Sequence, residues 1–365
     1  MSALVLAFVV AWLAVYFILR STQWHLPYSA DQDLEGIQKF HVRAVPRIGG
    51  LAIFMALCAG VLTRAWVNET VFLETLYLLV AALPVFLAGL IEDVTKRVGV
   101  RQRLLAAFLS AAIAGYLLNT WLVDVQLFGL DYLLAIPILS VLFTCTAVAG
   151  VTNAFNLIDG YHGLVGVVAT LILLAIGYVA FTLGDFVVLA GALSAIGAIL
   201  GFLFWNYPTG RIFLGDGGAY LIGFWIAQLS VMLVIRNPEV SKWFPVLACF
   251  YPIFETVFTM YRRLVIKRTQ LGQPDASHLH QIIYARVVRW GIGSADRELR
   301  NQRNFLTSPY LWLLCSLSVI PAILFWDQKI ILQGFILLFA LSYIWLYRRI
   351  VRFRVPKCLI LSRLP

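Results

Sequence analysis

Residues 164–205 read LVGVVATLILLAIGYVAFTLGDFVVLAGALSAIGAILGFLFW, and Asp185 is the one charged residue in this stretch. A helix needs about 20 mostly apolar residues to cross roughly 30 Å of hydrocarbon. Gly184 and Asp185 divide the stretch into two segments of about this length. The sequence therefore predicts two successive transmembrane helices, at 164–183 and 186–205.

The composition of the whole chain agrees with this prediction. Of its 365 residues, 61% are hydrophobic and 13% are charged, and the mean hydropathy is +0.88. Soluble domains contain about 25% charged and about 45–50% apolar residues. The composition thus excludes a soluble multidomain protein and a disordered chain. The net charge of +10 indicates membrane topology, and we expect no nucleic-acid partner.

The chain is predicted to be an all-α polytopic membrane protein with about eleven transmembrane helices. The predicted spans are 3–19, 48–65, 71–90, 104–122, 132–151, 164–183, 186–205, 217–235, 243–260, 310–325 and 330–346. Of the 28 Lys and Arg residues, 24 fall in one set of connecting segments, and positive charge concentrates on the cytoplasmic side. We therefore expect the N-terminus outside and the C-terminus in the cytoplasm. Residues 1–365 would form a single membrane domain with a cytoplasmic loop at 262–308 and a basic tail at 347–365.

Unusual polar residues fall at the predicted cytoplasmic ends of the spans. They are Glu92, Asp93, Asn153, Asn156, Asp159, Asn206, Asp216, His278 and His280. A proton or ion pathway would place ionisable residues near the bilayer midplane, where the sequence offers mainly Glu255. We interpret Glu255 as a packed polar contact or a helix-pairing residue and do not assign it to the site. We therefore expect the chemistry to take place at the cytoplasmic surface of the membrane.

Three of these residues, Asp93, Asp159 and Asp216, would repel one another if they met. Two like charges about 4 Å apart cost about 4 kcal/mol at an effective dielectric constant of 20. Such a cluster persists if a divalent cation lies within it or if cationic side chains surround it. Oxygen donors favour Mg²⁺ or Mn²⁺ over zinc. We expect the three carboxylates to meet at one such cation.

Each residue taken alone also has a simpler structural explanation. Glu92 and Asp93 are typical of a solvated helix end, and Asp216 is typical of a helix N-cap. Arg101 and Arg103 could serve only to set the topology. The occurrence of all these residues on one face of the membrane is what favours a functional site.

Five segments carry a resemblance to a known enzyme family. They read HVRAVPRIGGLAIF (41–54), GLIEDV (89–94), NAFNLIDGYHGL (153–164), RIFLGDGGAYLIGF (211–224) and GQPDASHLHQ (272–281). With these segments the chain resembles the polyprenyl-phosphate N-acetylhexosamine-1-phosphate transferases, and the HLHQ form is similar to the WecA-like branch. These enzymes transfer a sugar 1-phosphate from a UDP-sugar to undecaprenyl phosphate and release UMP.

The resemblance implies roles for the matching residues. Asp216, with Asn156, would bind Mg²⁺, Phe213 would stack on uracil, and Asn206 would help to hold the nucleotide. The catalytic residues would be Asp93, Glu92, Asp159, His278 and His280. The substrate-binding residues would be Asn153, Asn156, His162, Asn206, Phe213, Lys39, His41, Arg47, Arg101 and Arg103. Two positions depart from the family pattern, because Glu92 stands where Asp is common and His162 where Asp or Asn is common.

The resemblance further implies substrates and a location. We expect UDP-GlcNAc or a related UDP-N-acetylhexosamine as the donor and undecaprenyl phosphate as the acceptor. The protein would lie in the bacterial cytoplasmic (inner) membrane and begin the assembly of a cell-envelope polysaccharide such as O-antigen. Whether it forms a homodimer stays open.

The mechanism and the function class have alternatives. A phosphate monoester has a second pKa near 6, so proton removal contributes little and we expect the lipid phosphate to attack the donor directly. A covalent intermediate on Asp93 is the competing scheme. A transporter or lipid flippase would need polar residues through the bilayer, and Glu92 and His162 would also suit an inactive family member.

Overall fold

A computed structural model describes residues 1–29, 45–267, 277–288 and 298–353. Lys39 and His41, both predicted to bind substrate, lie outside the described residues. The regular structure of the described part is helical. Its helices are α1 (Ser2–Arg20), α2 (Thr22–Ser29), α3 (Gly49–Leu62), α4 (Glu69–Ala81), α5 (Leu83–Thr95), α6 (Val100–Leu118), α7 (Leu130–Leu134), α8 (Pro137–Ile158), α9 (Leu164–Leu183), α10 (Phe186–Asn206), α11 (Gly215–Arg236), α12 (Trp243–Ala248), α13 (Phe250–Tyr261), α14 (Leu279–Ile283), α15 (Glu298–Leu324) and α16 (Lys329–Val351). The π-helical segments Arg262–Lys267 and Tyr284–Val288 extend α13 and α14.

Within the described residues, seven helices are long and apolar enough to cross a membrane, and a bent pair would make an eighth. The seven are α1, α8, α9, α10, α11, α15 and α16, and the pair is α4 with α5. The chain is therefore an all-α, multi-pass membrane protein. The other predicted spans fall on α3, α6 and the pair α12–α13. The count of eleven and the orientation stay predictions.

Prolines explain where the predicted spans differ from the observed helices. The span 71–90 is bent by 41° between α4 and α5, and Pro84 stands in the first turn of α5. The span 243–260 is divided at Cys249, because Pro252 has no N–H to donate to the Ala248 carbonyl. The span 132–151 is shifted, since Pro137 begins α8, and Asn153 and Asn156 consequently lie inside this helix.

The predicted loop 262–308 is only partly a loop. Two π-helical segments, α14 and the first turns of α15 fall within it. Every residue of α14 is buried, and Thr307 and Ser308 of α15 are also buried. This part of the chain therefore packs against the transmembrane helices.

The central element of the fold is α11. Its residues are buried almost without interruption from Gly217 to Val234, as expected of a helix that is apolar all round. It packs against α3, α5, α8 and α9, among others. The N–H groups of Gly49 and Gly50, at the start of α3, donate to the carbonyls of Phe213 (3.0 Å) and Leu214 (2.9 Å) just before α11. These bonds hold the start of α11 at one end of the helix bundle.

The contact between α5 and α11 depends on glycine. A Cβ atom on Gly89 of α5 would lie 2.6 Å from the Cα and N atoms of Gly217 in α11. Both neighbours are backbone atoms, which cannot rotate away. Glycine at position 89 therefore allows the two backbones to touch at the first turn of α11.

We predict that Gly89→Ala lowers the melting temperature of the detergent-solubilised protein, because the added methyl must separate α5 from α11. Overpacking of this kind costs about 1–3 kcal/mol. Gly150→Ala on α8 is the matched control, since a Cβ at Gly150 meets nothing within 4 Å. Equal melting temperatures for the two variants, measured by thermal unfolding, would contradict this packing.

Candidate active site

The first turn of α11 is capped by a carboxylate from another helix. Asp93, near the end of α5, has 1% of its surface exposed. Its Oδ1 accepts a hydrogen bond from the Asp216 N–H and its Oδ2 accepts one from the Gly217 N–H, both at 2.8 Å. The first N–H groups of a helix have no partner within the helix, and the helix dipole favours an anion there. Asp93 therefore satisfies the N-terminus of α11 and fixes it against α5.

Gly215 makes this approach sterically feasible. Its φ of +75° is a conformation that other residues adopt at a cost. A Cβ at this position would lie 2.0 Å from the Arg47 carbonyl oxygen and 2.5 Å from Asp93 Oδ2. Glycine at position 215 is therefore required for the capping geometry.

The Asp216 side chain points away from that cap and lies between two arginines. Arg47 Nη2 is 3.3 Å from Asp216 Oδ1 and 3.9 Å from Asp93 Oδ1. Arg103 pairs with Asp216 Oδ2. The side chains of Arg47, Arg103 and Asp216 are 26%, 13% and 16% exposed, so water and solutes can reach them. We refer to Arg47, Asp93, Arg103 and Asp216 as the arginine–aspartate cluster.

Asp159 is electrostatically coupled to this cluster. It follows the last residue of α8, and its charge acts on Asp93. The protein atoms packed around Asp159 raise the pKa of its carboxyl, and Arg47 opposes this increase. The Asp159 side chain is also accessible to water. Three carboxylates and two guanidinium groups thus interact at this end of the bundle.

The expectation that three carboxylates share one cation stays a prediction. In the described part of the chain, no three side chains of His, Cys, Asp or Glu come together as a metal site. The physical reason is that both oxygens of Asp93 accept amide hydrogen bonds. The second alternative, in which cationic side chains surround the carboxylates, describes the cluster.

The residues near Asp216 nevertheless fit a divalent cation by their chemistry. Tyr220 donates a hydrogen bond to Asn153 Oδ1 at 3.2 Å, and the Arg103 guanidinium lies 5.6 Å from the Tyr220 ring centre. Asn156 lies one turn after Asn153 on α8. The available donors are carboxylate and amide oxygens, which suit Mg²⁺.

Asn206 has a structural role. Its Oδ1 accepts a hydrogen bond from the Gly163 N–H and its Nδ2 donates to the Ile212 carbonyl, both at 2.7 Å. These bonds join the end of α10 to the start of α9 and to the segment before α11. The prediction that Asn206 holds the nucleotide stays untested, although its amide is already engaged.

His162 and Phe213 lie side by side, with ring centres 5.7 Å apart. His162 is buried, and its Nδ1 lies 3.3 Å from the Pro208 carbonyl oxygen. Its backbone is held by α15, since its N–H donates to Asn304 Oδ1 (2.8 Å) and Ser308 donates to its carbonyl (2.6 Å). His162, which departs from the family pattern, is therefore fixed in place by α15. Its contact with substrate, like the stacking of Phe213 on uracil, remains a prediction.

His278 and His280 form a stacked pair with ring centres 5.3 Å apart. The pair packs beside Asp159, because the His280 ring lies 5.5 Å from the Tyr161 ring and a Cβ on Gly160 would meet His280 Nε2 at 3.3 Å. Burial lowers the pKa of His280 to about 3, so this ring is neutral at pH 7. The HLHQ segment and the end of α8 thus form one wall.

The sequence-based interpretation did not identify the partners of Glu255. It is 0% exposed, and its Oε1 lies 3.2 Å from His278 Nδ1 and 3.2 Å from the Leu279 N. Its Oε2 accepts a hydrogen bond from Tyr343. Glu255 is therefore the packed polar contact that the sequence predicts, and its partners are a candidate catalytic histidine and a tyrosine of α16. A Glu within an apolar run signals a buried partner, but the sequence could not identify His278 as that partner.

Two other predicted residues face outward or towards a local loop. Glu92 is half-buried, and its Oε2 accepts a hydrogen bond from the Val98 N–H at 2.8 Å. Arg101 is exposed at the start of α6. The catalytic role of Glu92 and the substrate-binding role of Arg101 stay predictions.

The helices are apolar, and a polar cluster lies at one end of them. The chain is thus a polytopic membrane protein. Its described part has a single accessible site of arginines, carboxylates and histidines. Residues 75–234 match the sequence model of glycosyl transferase family 4. The chain belongs to this family, the polyprenyl-phosphate N-acetylhexosamine-1-phosphate transferases, and is a phosphoglycosyltransferase.

Three relatives illustrate this membership. The chain is 30% identical to the probable undecaprenyl-phosphate N-acetylglucosaminyl 1-phosphate transferase of Bacillus subtilis, over 78% of each chain. It is 28% identical to the undecaprenyl-phosphate alpha-N-acetylglucosaminyl 1-phosphate transferase of Thermotoga maritima, over 71% of this chain and 74% of the relative. It is 28% identical to the protein of that name from Escherichia coli K12, over 69% of this chain and 68% of the relative.

We predict that Asp93→Asn lowers the melting temperature in detergent more than Glu92→Gln does. Asn has one oxygen, so its NH₂ group would face the N–H of Asp216 or Gly217, and an unsatisfied buried donor costs about 1–3 kcal/mol. Gln at position 92 keeps an oxygen acceptor for the Val98 N–H. If both variants unfold at the wild-type temperature, Asp93 does not cap α11.

Proposed function

We propose that the protein transfers N-acetylglucosamine 1-phosphate, or a related N-acetylhexosamine 1-phosphate, from a UDP-sugar to undecaprenyl phosphate and releases UMP. The relatives are named for this transfer. The observation that carries the proposal is the position of the Asp216 carboxylate, which the Asp93 cap presents between Arg47 and Arg103. Such a site suits a reaction between two phosphate-bearing substrates.

Electrostatics supports this proposal. The lipid phosphate and the donor diphosphate are both anionic near pH 7 and repel each other. Arginine binds phosphate oxygens in bidentate geometry, and catalysis of phosphoryl transfer consists mainly of positioning and charge stabilisation. Arg47 and Arg103 are partly exposed and would hold the two anions together. Arg47 also contacts Asp93, which couples substrate binding to the cap.

Asp216, assisted by Asn156, would hold Mg²⁺ or Mn²⁺. The bound cation would neutralise charge on the donor diphosphate. With a cation at Asp216, the guanidinium groups of Arg47 and Arg103 would turn from its carboxylate towards phosphate oxygens. His278 and His280 would contact the donor from the wall beside Asp159.

We favour direct attack of a lipid phosphate oxygen on the β-phosphorus of the donor. A bond forms between that oxygen and the β-phosphorus, the bond from the β-phosphorus to the bridging oxygen breaks, and UMP leaves with that oxygen. The burial of Asp93 and its two amide hydrogen bonds argue against its action as a covalent nucleophile. Asp159, which is accessible to water, is the better placed carboxyl for a residual proton of the lipid phosphate.

We further propose a location in the bacterial inner membrane, with eleven spans and the active site on the cytoplasmic face. The arginines of the cluster belong to the connecting segments that hold most of the positive charge, and such segments are cytoplasmic. The product would begin a cell-envelope polysaccharide such as O-antigen.

We predict that membranes containing the protein release UMP from UDP-GlcNAc or a related UDP-sugar only when undecaprenyl phosphate is present. Asp216→Asn should lower this rate by about 10²–10³-fold, the effect of losing one preorganised electrostatic group. Asp327→Asn, at an exposed residue between α15 and α16, is the matched control and should keep the wild-type rate. Failure to release UMP from any UDP-N-acetylhexosamine would indicate an inactive family member, and UMP release without the lipid would contradict the transfer.

We predict that labelled UMP does not exchange into the donor when the lipid acceptor is absent. Direct attack requires the acceptor for any cleavage of the diphosphate, whereas a covalent intermediate on Asp93 would support exchange without it. The measurement is the incorporation of labelled UMP into UDP-sugar by the purified protein. Exchange at a rate comparable with turnover would contradict direct attack.

A further inference from the structure

A buried polar network lies behind the histidine pair. It consists of Glu255 and Thr259 on α13, His278, and Tyr343 on α16, and we call it the His278 network. All four residues are buried. A charged side chain in such surroundings is unfavourable unless hydrogen bonds satisfy it. Glu255 meets this requirement, since Tyr343, the Leu279 N–H and the His278 ring surround its carboxylate.

The carboxylate determines which nitrogen of His278 carries a proton. An ionised carboxylate only accepts hydrogen bonds. Nδ1 of His278, which lies 3.2 Å from Glu255 Oε1, must therefore be the donor. The hydroxyl of Thr259 lies 3.2 Å from the same nitrogen. With Nδ1–H fixed in this way, any proton that His278 gains or loses is gained or lost at Nε2.

The C-terminal helix α16 holds the same segment from the other side. Tyr347 donates to the Ser277 carbonyl at 3.2 Å, and Arg262 donates to that carbonyl and to the Tyr347 hydroxyl. One turn earlier in α16, Tyr343 binds the Glu255 carboxylate. The backbone just before His278 and the side chain of Glu255 are thus fixed by two tyrosines of one helix.

The network is connected to the rest of the site by direct packing. His278 stacks on His280, and the His280 ring packs against Gly160 and Tyr161, next to Asp159. A rotation of the His278 ring would therefore disturb the wall that faces the arginine–aspartate cluster. The buried carboxylate is therefore linked to this wall through His278.

We propose that Glu255 is a positioning residue for the phosphosugar transfer, which holds His278 through Nδ1 in one tautomer and one orientation and so confines proton exchange to Nε2. The proposal rests on the proposed function, because it concerns the histidine expected to contact the donor phosphates. Tyr343 takes part by fixing the other oxygen of the carboxylate. Neither Glu255 nor Tyr343 touches the reacting atoms.

The test compares Glu255→Gln, Tyr343→Phe and His278→Ala in UMP release. Gln removes the negative charge and has one acceptor oxygen, so it cannot accept from both the Tyr343 hydroxyl and the Nδ1–H of His278 as the carboxylate does. We expect Glu255→Gln to lower kcat by about 10- to 100-fold, the usual effect of losing an orienting partner, with the KM for undecaprenyl phosphate within about twofold of wild type. Tyr343→Phe should act in the same direction with a smaller loss. Glu74→Gln is the matched control, since Glu74 pairs with Arg236 away from the site, and it should keep the wild-type rate.

The double variant Glu255→Gln/His278→Ala separates positioning from general structural support. If Glu255 acts through His278, the double variant has the activity of His278→Ala alone, because interacting residues are not additive. A further loss equal to that of the single variant would overturn the proposal, as would an equal loss in Glu74→Gln. If Glu255→Gln does not fold, the same comparison with Tyr343→Phe/His278→Ala decides.

A spectroscopic measurement makes the proposal testable apart from the proposed function. The ¹⁵N chemical shifts of the His278 ring, assigned with a His278→Asn variant, report the tautomer directly. We expect the Nδ1–H form in the wild type and its loss in Glu255→Leu, which has no acceptor for Nδ1–H. An unchanged tautomer would overturn the proposal even if the transfer is confirmed. If the wild type transfers no sugar phosphate, the proposed function fails while the tautomer still tests the role of Glu255.

Discussion

The candidate site depends on the two hydrogen bonds from the amides of Asp216 and Gly217 to the Asp93 carboxylate. These bonds lie at the end of an apolar bundle, where a helix N-terminus without a partner would leave buried N–H groups unsatisfied. They join α5 to α11, the central helix, and the glycines at 89 and 215 make the close approach sterically feasible. Both oxygens of Asp93 are engaged in this cap. The Asp216 carboxylate lies between Arg47 and Arg103.

The charge balance of the cluster explains why it suits phosphate chemistry. Asp93 and Asp216 face Arg47 and Arg103 in equal number, and Asp159 and Lys96 add one charge of each sign near Asp93. A divalent cation at Asp216 would make the site net positive, and Arg47 and Arg103 could then turn towards anionic substrates. In this proposal the arginines stabilise the carboxylates before the reaction and would bind the phosphates during it. A cluster of carboxylates alone would repel both substrates.

Hydropathy and charge predicted the helical membrane fold and most helix positions, because apolar length and polar helix ends are local properties. The bend between α4 and α5 and the break at Cys249 depend on Pro84 and Pro252, which could also have been identified from the sequence. The motifs at 153–164 and 211–224 correctly indicated which helix ends meet. The sequence could not show that Asp93 accepts hydrogen bonds from the amides that begin α11, since that depends on the spacing between two backbones. The partners of Glu255 could not be identified for a similar reason, because His278 and Tyr343 are distant from it in sequence.

The most direct test of the capping geometry is a cryo-electron microscopy structure of the protein with UDP-GlcNAc and Mg²⁺ bound. We expect both oxygens of Asp93 to remain within hydrogen-bond distance of the Asp216 and Gly217 amides, with the donor diphosphate at Arg47 and Arg103. A structure in which Asp93 has left these amides and contacts the cation or the donor would contradict the account.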